Sequence, residues 1–282
     1  MTSSLVLTLR CVDQPGIVKA ASEAIFSQGG TITDSAQFAH DRSGTFLLRT
    51  EIAVPDARRG ALEEMLRENL ARFDPVLSIR PRERRRRMML MVSTADHCLL
   101  EILYHWRLGE LPIDIVGVVS NHESLREVAE SAGIPFHVLP VTRENKPEQE
   151  AALERLVTAA SADFIVLARY MQILSDDFCA RYPGRIINIH HSFLPGFKGA
   201  KPYHQAYDRG VKLIGATAHY VTADLDEGPI IEQDVVRVSH RHNELDLVRI
   251  GRDVERRVLT RAIALHADDR VMLSGDRTVI FE

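Results

Sequence analysis

Two short stretches of this sequence contain residue types that transfer protons. Each lies where an apolar, strand-like segment ends. The first is INIHHSFLPG (187–196), in which an asparagine and two histidines follow buried-looking residues. Side chains alternate across a strand, so Asn188 and His190 share one face and His191 lies on the other. The second run, HYVTADLDEGPII (219–231), places carboxylates in a loop between two strands. An amide donor, an imidazole and a carboxylate at neighbouring strand ends could drive attack on a carbonyl without a covalent nucleophile.

A metal centre is the other chemistry that the 12 histidines could support. His190 and His191 are adjacent and face opposite sides of a strand, so they cannot share one ion. The other histidines, including His204, His219, His240 and His242, are scattered without ligand spacing. We therefore predict no metal and no cofactor beyond the substrate itself.

The composition bounds the class of protein. The chain has 282 residues and a formal net charge of −4, which favours two domains and gives no general attraction to nucleic acid or anionic membranes. No apolar run approaches the length of a membrane span, and the first residues lack the features of a signal peptide. A cytoplasmic location is expected. The three cysteines, Cys11, Cys98 and Cys179, are widely spaced and odd in number, so they predict core residues rather than disulfides.

The second half of the chain predicts an α/β domain with a doubly wound, mostly parallel sheet. Five apolar runs are expected to be its strands, at 88–93, 113–120, 135–139, 164–170 and 186–190. Helices are expected after the first three of them, at 99–107, 124–132 and 148–159. Ligands of such sheets bind outside the carboxyl ends of the strands, which is where Asn188 and His190 fall. A last long helix, 244–266, is expected to pack with one face exposed to solvent. Residues 270–281 are expected to form a terminal hairpin.

The first half predicts a smaller β-α-β-β-α-β domain of the ferredoxin-like type. Its strands are expected at 5–12, 31–40, 45–53 and 75–80, with helices at 17–28 and 57–73. The Asp-x-Pro-Gly turn after the first strand, and the Gly-Gly pair after the first helix, resemble those of the ACT domain, a regulatory module, over residues 4–82. The resemblance implies a homo-oligomer paired edge to edge and an amino-acid effector such as glycine or methionine. The implied effector-binding residues are Asp13, Gln14, Gly16, Gly29 and Gly30.

An arginine-rich run separates the two halves. The domains predicted are therefore 1–82 (ACT-like, regulatory), 83–87 (linker) and 88–282 (catalytic). An RNA-binding patch is the alternative for these arginines, but no aromatic residues are interleaved for base stacking.

The pattern N-I-H-x-S-x-L-P, followed about thirty residues later by T-x-H-x-V-x-x-x-x-D-x-G-P-I-I, resembles the folate-dependent formyltransferases over 88–270. The resemblance implies that Asn188, His190 and Asp226 are catalytic. It places the folate pocket on the segment after the fourth strand of this half and on the loop from Val221 to Asp226, with His219 and Asp224 in supporting positions. The segment consists of Met171, Gln172, Ile173 and Leu174.

The acceptor of the formyl group is indicated by the turn at 92–98, VSTADHC, which lacks the glycines that cradle a phosphate and contains Asp96. This disfavours a phosphorylated amine. The stretches NIHHSFLP, GAKPYHQA (199–206) and 219–234 resemble the deformylase branch of the family, which hydrolyses 10-formyltetrahydrofolate to tetrahydrofolate and formate for purine and one-carbon metabolism. A transferase with an amine acceptor, and a non-catalytic folate or amino-acid sensor, remain the alternatives.

Overall fold

The structure is a computed structural model that describes residues 1–196 and 202–282. The first three residues of the stretch 199–206 therefore lie outside the described residues. The chain divides into two compact units. One consists of Met1–Arg85 with Asp269–Ser274 and Val279–Glu282, and the other of Arg86–Asp268 with Gly275–Thr278. The assignment of 1–82, 83–87 and 88–282 as functional domains remains a prediction.

The first unit has the predicted β-α-β-β-α-β order. Its elements are β1 (Thr2–Val12), α1 (Ile17–Ser27), β2 (Thr31–His40), β3 (Thr45–Pro55), α2 (Arg59–Leu70) and β4 (Val76–Pro81). The sheet is antiparallel with the order β2-β3-β1-β4. Alternate residues of β1 (Leu5, Leu7 and Leu9) form one core with the apolar faces of both helices. The ferredoxin-like prediction is confirmed.

The C-terminal residues 269–274 add to this first unit. Arg80 Nη2 lies 2.6 Å from Asp269 Oδ2, and Arg10 Nη1 donates to the Leu273 carbonyl oxygen. Most of the terminal hairpin, predicted as part of the catalytic half, is therefore packed with the N-terminal sheet.

The second unit contains a mostly parallel sheet of seven strands, and the prediction of a doubly wound, mostly parallel sheet is confirmed. Its elements are β5 (Arg86–Val92), α3 (His97–Arg107), β6 (Ile113–Ser120), α4 (Arg126–Glu130), β7 (Phe136–Val138), α5 (Lys146–Ala159), β8 (Phe164–Leu167), α6 (Asp176–Arg181), β9 (Ile186–His190), α7 (Pro202–Asp208), β10 (Leu213–Tyr220), β11 (Ile230–Arg237) and α8 (Glu244–Ala267). The strand order is β11-β10-β9-β8-β5-β6-β7. Strands β5 to β9 run parallel, and β10 pairs antiparallel with both of its neighbours, β9 and β11. A hairpin, β12 (Val271–Ser274) and β13 (Arg277–Ile280), follows.

Several predicted boundaries differ from the observed ones. The helix expected at 124–132 spans only Arg126–Glu130, and the strand expected to reach residue 170 ends at Leu167. Arg86 and Arg87, which the sequence places in the linker, begin β5. The short helices α6 and α7 were not predicted, because six or seven residues are too few for a helical repeat of apolar positions.

All three cysteines are buried and free, which confirms them as core residues. None of the helices within 1–196 and 202–282 combines the length and apolar composition needed to cross a bilayer.

Candidate active site

The carboxyl end of β9 lies beside β10, and the pairing brings their polar residues onto one face. In this antiparallel register Asn188 is opposite His219, and His190 is opposite Thr217. Asn188 and His190 are two residues apart on β9 and therefore project from the same side of the sheet. Asn188 Nδ2 lies 3.2 Å from His219 Nε2. Two neighbouring strands thus supply an amide and two imidazoles to one point.

The loop after β10 adds the carboxylate. Asp226 Oδ1 is 3.3 Å from His190 Nδ1 and 3.9 Å from His219 Nε2. Its backbone is left-handed, with φ of 58°, a conformation that aspartate and asparagine tolerate better than most residues. Although the loop residues around it are exposed, the Asp226 side chain is only 8% exposed. The loop therefore places this carboxylate in the site.

Hydrogen bonding fixes the tautomer of His219. Its Nδ1 is 2.9 Å from the carbonyl oxygen of Tyr220, which can only accept, so Nδ1 carries the proton. Burial lowers the pKa of His219, against opposing effects of that hydrogen bond and Asp226, so the ring is neutral at pH 7. The unprotonated Nε2 then accepts from the amide nitrogen of Asn188. This leaves Asn188 with a second N–H for a ligand oxygen.

The segment after β8 forms one wall of the site and is held at both ends. The Met171 backbone N–H donates to Ser93 Oγ over 3.1 Å, and the Ser175 backbone N–H donates to Glu150 Oε1 over 2.7 Å. Met171 and Ile173 nevertheless remain 54% and 62% exposed. Exposed apolar side chains on an anchored segment suit a flat, largely apolar ligand such as a fused heterocycle.

These elements surround one cavity of about 280 Å³. The predicted catalytic and substrate-binding residues all line it: Met171, Gln172, Ile173, Leu174, Asn188, His190, His219, Val221, Asp224 and Asp226. The structure thus brings the whole predicted set together, while the role of each residue remains a prediction. Asp224 belongs to the exposed part of the loop, where its carbonyl oxygen accepts from Thr222 Oγ1.

The predicted effector residues lie apart from one another. Asp13, Gln14 and Gly16 form the turn before α1, whereas Gly29 and Gly30 follow its other end. Helix α1 has 11 residues and is therefore about 16 Å long, so one small ligand cannot contact both groups within one chain. Gly16 has φ of 100°, and a Cβ on Gly30 would lie 3.0 Å from the carbonyl oxygen of Ile25. The backbone conformation at Gly16 and the close contact at Gly30 therefore account for both glycines without a ligand.

The sequence reasoning missed three residues beside the cavity. Arg169 and His191 line it, and Glu255 of α8 lies behind them. Glu255 is 1% exposed and occurs on the apolar face of α8, four residues after Gly251 and three before Val258. An acidic residue at an apolar position of the helical repeat is a sequence signal that could have found it.

One cluster of three potential metal ligands occurs among the described residues, formed by His97, Cys98 and Glu255. None of these three residues lines the cavity that contains Asn188 and Asp226. Burial raises the pKa of Cys98 well above its ordinary value, which keeps the thiol protonated, and Arg169 Nε lies 3.4 Å from Glu255 Oε2. A neighbouring guanidinium disfavours a second cation, so the donor set does not fit a metal ion.

Two histidines of the site make a testable contribution to stability. Burial, reinforced by Arg169, lowers the pKa of His191 to about 3, and burial also lowers that of His219. Below about pH 6.5 the unfolded chain binds protons at both positions, whereas in the folded chain His191 stays neutral and His219 binds its proton less readily. We expect the free energy of unfolding to fall between pH 7.5 and 5, by up to about 1.4 kcal/mol per pH unit for each histidine. Urea titrations at several pH values measure this.

The control for this pH effect is His191→Asn, which removes one titrating group. Its unfolding free energy should decline less steeply over the same range, whatever its stability at pH 7.5. Equal slopes for the variant and the natural chain would show that His191 does not stay neutral in the folded protein.

Comparison with known proteins places this chain in a family. The family model described as formyl transferase matches residues 86–263. A formyltetrahydrofolate deformylase from Synechocystis sp. is 48% identical over 283 residues, covering 100% of this chain and 99% of that protein.

Solved structures give the same result. The crystal structure of a formyltetrahydrofolate deformylase from Pseudomonas syringae pv. tomato has a TM-score of 0.96 at 45% identity and covers 100% of this chain and 95% of that one. A glycinamide ribonucleotide transformylase from Symbiobacterium toebii has a TM-score of 0.66 at 33% identity, covering 70% of this chain and 95% of that one. The fold is thus of the formyl transferase class. Over its full length the chain belongs to the formyltetrahydrofolate deformylase family.

Proposed function

We propose that this protein hydrolyses 10-formyltetrahydrofolate to tetrahydrofolate and formate. The observation that carries the proposal is the contact of Asp226 with His190 beside Asn188, at the floor of a cavity with an exposed apolar wall. The membership of the chain in the deformylase family supports the same reaction. The enzyme is accordingly a hydrolase that acts on the C–N bond of a formyl amide.

We assign a chemical role to each of these groups. Asp226 contacts Nδ1 of His190, and we assign the other ring nitrogen, Nε2, to the substrate. Asp226, directly or through His190, takes a proton from the attacking water, whose oxygen bonds to the formyl carbon. The second N–H of Asn188 and the protonated His190 stabilise the oxyanion. The C–N10 bond then breaks, N10 receives a proton from His190, and formate leaves.

The test is formate release from 10-formyltetrahydrofolate by the purified protein with no amine present. Steady turnover to equal amounts of formate and tetrahydrofolate supports hydrolysis. Turnover that needs an added amine would favour the transferase alternative, and tight folate binding without formate release would favour the sensor.

We further propose that the first unit is an ACT-like regulatory domain that binds glycine or methionine. The support is its sheet order and the turn at Asp13, Gln14 and Gly16. Since Gly29 and Gly30 lie at the far end of α1, an effector that uses both groups would bind between two chains. We expect either amino acid to change the formate release rate of the natural chain, with the response lost and the basal rate kept in Gln14→Ala. An unchanged rate at millimolar glycine and methionine would argue against this role.

We also propose a homo-oligomer formed through the same unit. Strand β2 is at the sheet edge, and its ten residues are exposed or half-buried, including Ile32 and Phe38. Long exposed edge strands are usually paired or covered in native proteins. We propose that two copies pair along β2, and sedimentation velocity would reveal a monomer if they do not.

The proposed product places the enzyme in the supply of formate for purine and one-carbon metabolism, with no nucleic-acid partner. Three buried, unpaired cysteines suit a reducing compartment such as the cytoplasm.

A further inference from the structure

The sheet of the second unit has a topological switch point between β5 and β8. From β5 the chain continues outward to β6 and β7, and it then returns to place β8 on the other side of β5. The crevice outside the carboxyl ends of two such strands is the usual ligand site of doubly wound sheets. In this protein two side chains approach it from its two sides. His97 follows the turn after β5, and Arg169 follows β8.

Both side chains reach the same carboxylate. His97 Nε2 is 2.9 Å from Glu255 Oε2, and Arg169 Nε is 3.4 Å from that oxygen. The hydroxyl of Tyr203 donates to the other oxygen, Oε1, over 2.7 Å. These four residues, His97, Arg169, Tyr203 and Glu255, are named here the Glu255 cluster.

The Glu255 cluster is charged and buried. Burial alone would raise the pKa of Glu255, but the hydrogen bond from His97, the charge of Arg169 and the hydrogen bond from Tyr203 hold it below its ordinary value. A buried ion pair costs several kcal/mol of desolvation per ion, and apolar residues of the same volume often fold as well. Its presence beside a reaction site therefore suggests a role other than stability.

The neighbouring backbone accommodates the cluster. Gly251 precedes Glu255 by one helical turn, and a Cβ at that position would lie 2.1 Å from Cζ of Tyr203. Only glycine lets the Tyr203 ring lie this close to α8. Arg169 has φ of 63°, a backbone conformation that glycine adopts without strain and arginine rarely adopts.

The cluster lies directly against the catalytic cavity. Arg169 and His191 line that cavity, and the His191 ring is 5.2 Å from the ring of His190 and 5.9 Å from that of Tyr203. The segment 171–174, which forms one wall of this cavity, begins two residues after Arg169. The switch-point crevice thus adjoins the cavity assigned to folate, because Arg169 lines that cavity and also contacts Glu255.

We infer that the Glu255 cluster determines the acceptor: it occupies the space that an amine would need beside the formyl carbon, so that only water reaches it. This inference rests on the proposed hydrolysis. A protein named as a glycinamide ribonucleotide transformylase shares the fold, so the fold itself does not select water. The cluster also denies an amine the carboxylate of Glu255, since both of its oxygens are already engaged.

The variant that tests the inference is Arg169→Gly, because its backbone conformation suits glycine and the substitution removes the guanidinium from the crevice. The probe is glycinamide, a small primary amine. In a transfer its nitrogen bonds to the formyl carbon, the C–N10 bond breaks, and an amine proton passes to N10, giving N-formylglycinamide and tetrahydrofolate. Mass spectrometry measures N-formylglycinamide, and a coupled assay measures formate in the same reaction.

The natural chain should give formate with or without glycinamide. In Arg169→Gly the ratio of N-formylglycinamide to formate should rise on the order of tenfold or more, as steric discrimination in a pocket typically allows. The matched control is Arg169→Met, which keeps the bulk and loses the charge, and should remain hydrolytic. An unchanged ratio in a folded, folate-binding Arg169→Gly, or an equal rise in Arg169→Met, would overturn occlusion as the cause.

If Arg169→Gly does not fold, His97→Ala opens the crevice from the β5 side and carries the same expectation. The proposed function is tested separately in these reactions. No formate from the natural chain without amine would refute hydrolysis, whereas formate from the natural chain and an unchanged ratio in the variants would refute only the role of the cluster.

Discussion

Replacing Asp226 by asparagine should reduce the kcat for formate release by on the order of 10²–10⁴ with little change in folding. The carboxylate contacts Nδ1 of His190, so it holds the ring with Nε2 toward the substrate and stabilises the imidazolium that forms when water is deprotonated. Asparagine keeps the size of the side chain but loses the charge. Steady-state formate release, measured alongside thermal unfolding, gives the two quantities needed.

The choice of asparagine protects this test from a folding artefact. Asp226 has a left-handed backbone, and asparagine tolerates that conformation as well as aspartate does. The matched control is Glu227→Gln, a neighbouring exposed acid in the same loop that does not line the cavity. It should keep activity within a few-fold. Turnover of Asp226→Asn within about threefold of the natural chain would remove this carboxylate from the mechanism.

Several strands were predicted with the bounds that the structure shows. Strand β6 is continuously apolar at its carboxyl end, and its observed bounds, Ile113–Ser120, coincide with the predicted ones, as do those of β2 and β9. The short helices α6 and α7 contain too few residues to show an apolar repeat. Helix α6 is defined by Ser175, whose side chain accepts from the Phe178 backbone N–H, and one capping residue alone predicts little.

The candidate site divides in the same way. The face shared by Asn188 and His190 follows from strand alternation, and the loop position of Asp226 follows from a contiguous motif. The orientation of His219 depends on a hydrogen bond to its own neighbour's carbonyl oxygen, which no residue pattern encodes. Helix α8 was expected to pack with a wet face, and most of its charged residues are solvent-accessible, but Glu255 is buried. Partners from three distant segments keep it charged there, and such long-range pairing is invisible in one sequence.

Asn188→Ala should lower kcat by about 10²–10³, which corresponds to roughly 2.7–4 kcal/mol of activation free energy, with KM nearly unchanged. The negative charge on the formyl oxygen develops only during the attack by water, so its donor contributes little to ground-state binding. His219 holds the amide nitrogen of Asn188 by accepting from it, which leaves the second N–H for that oxygen.

The comparison that isolates this donor is Asn188→Asp, which keeps the shape of the side chain but replaces the N–H donor by an anionic oxygen. It should be at least as impaired as Asn188→Ala, because a carboxylate repels the oxyanion. Steady-state kinetics of both variants, with tetrahydrofolate affinity measured by fluorescence quenching, separates kcat from binding. A raised KM with kcat retained in Asn188→Ala would mean that Asn188 contributes equally to binding the substrate and the transition state. Of the two residues assigned to stabilise the oxyanion, only His190 would then remain.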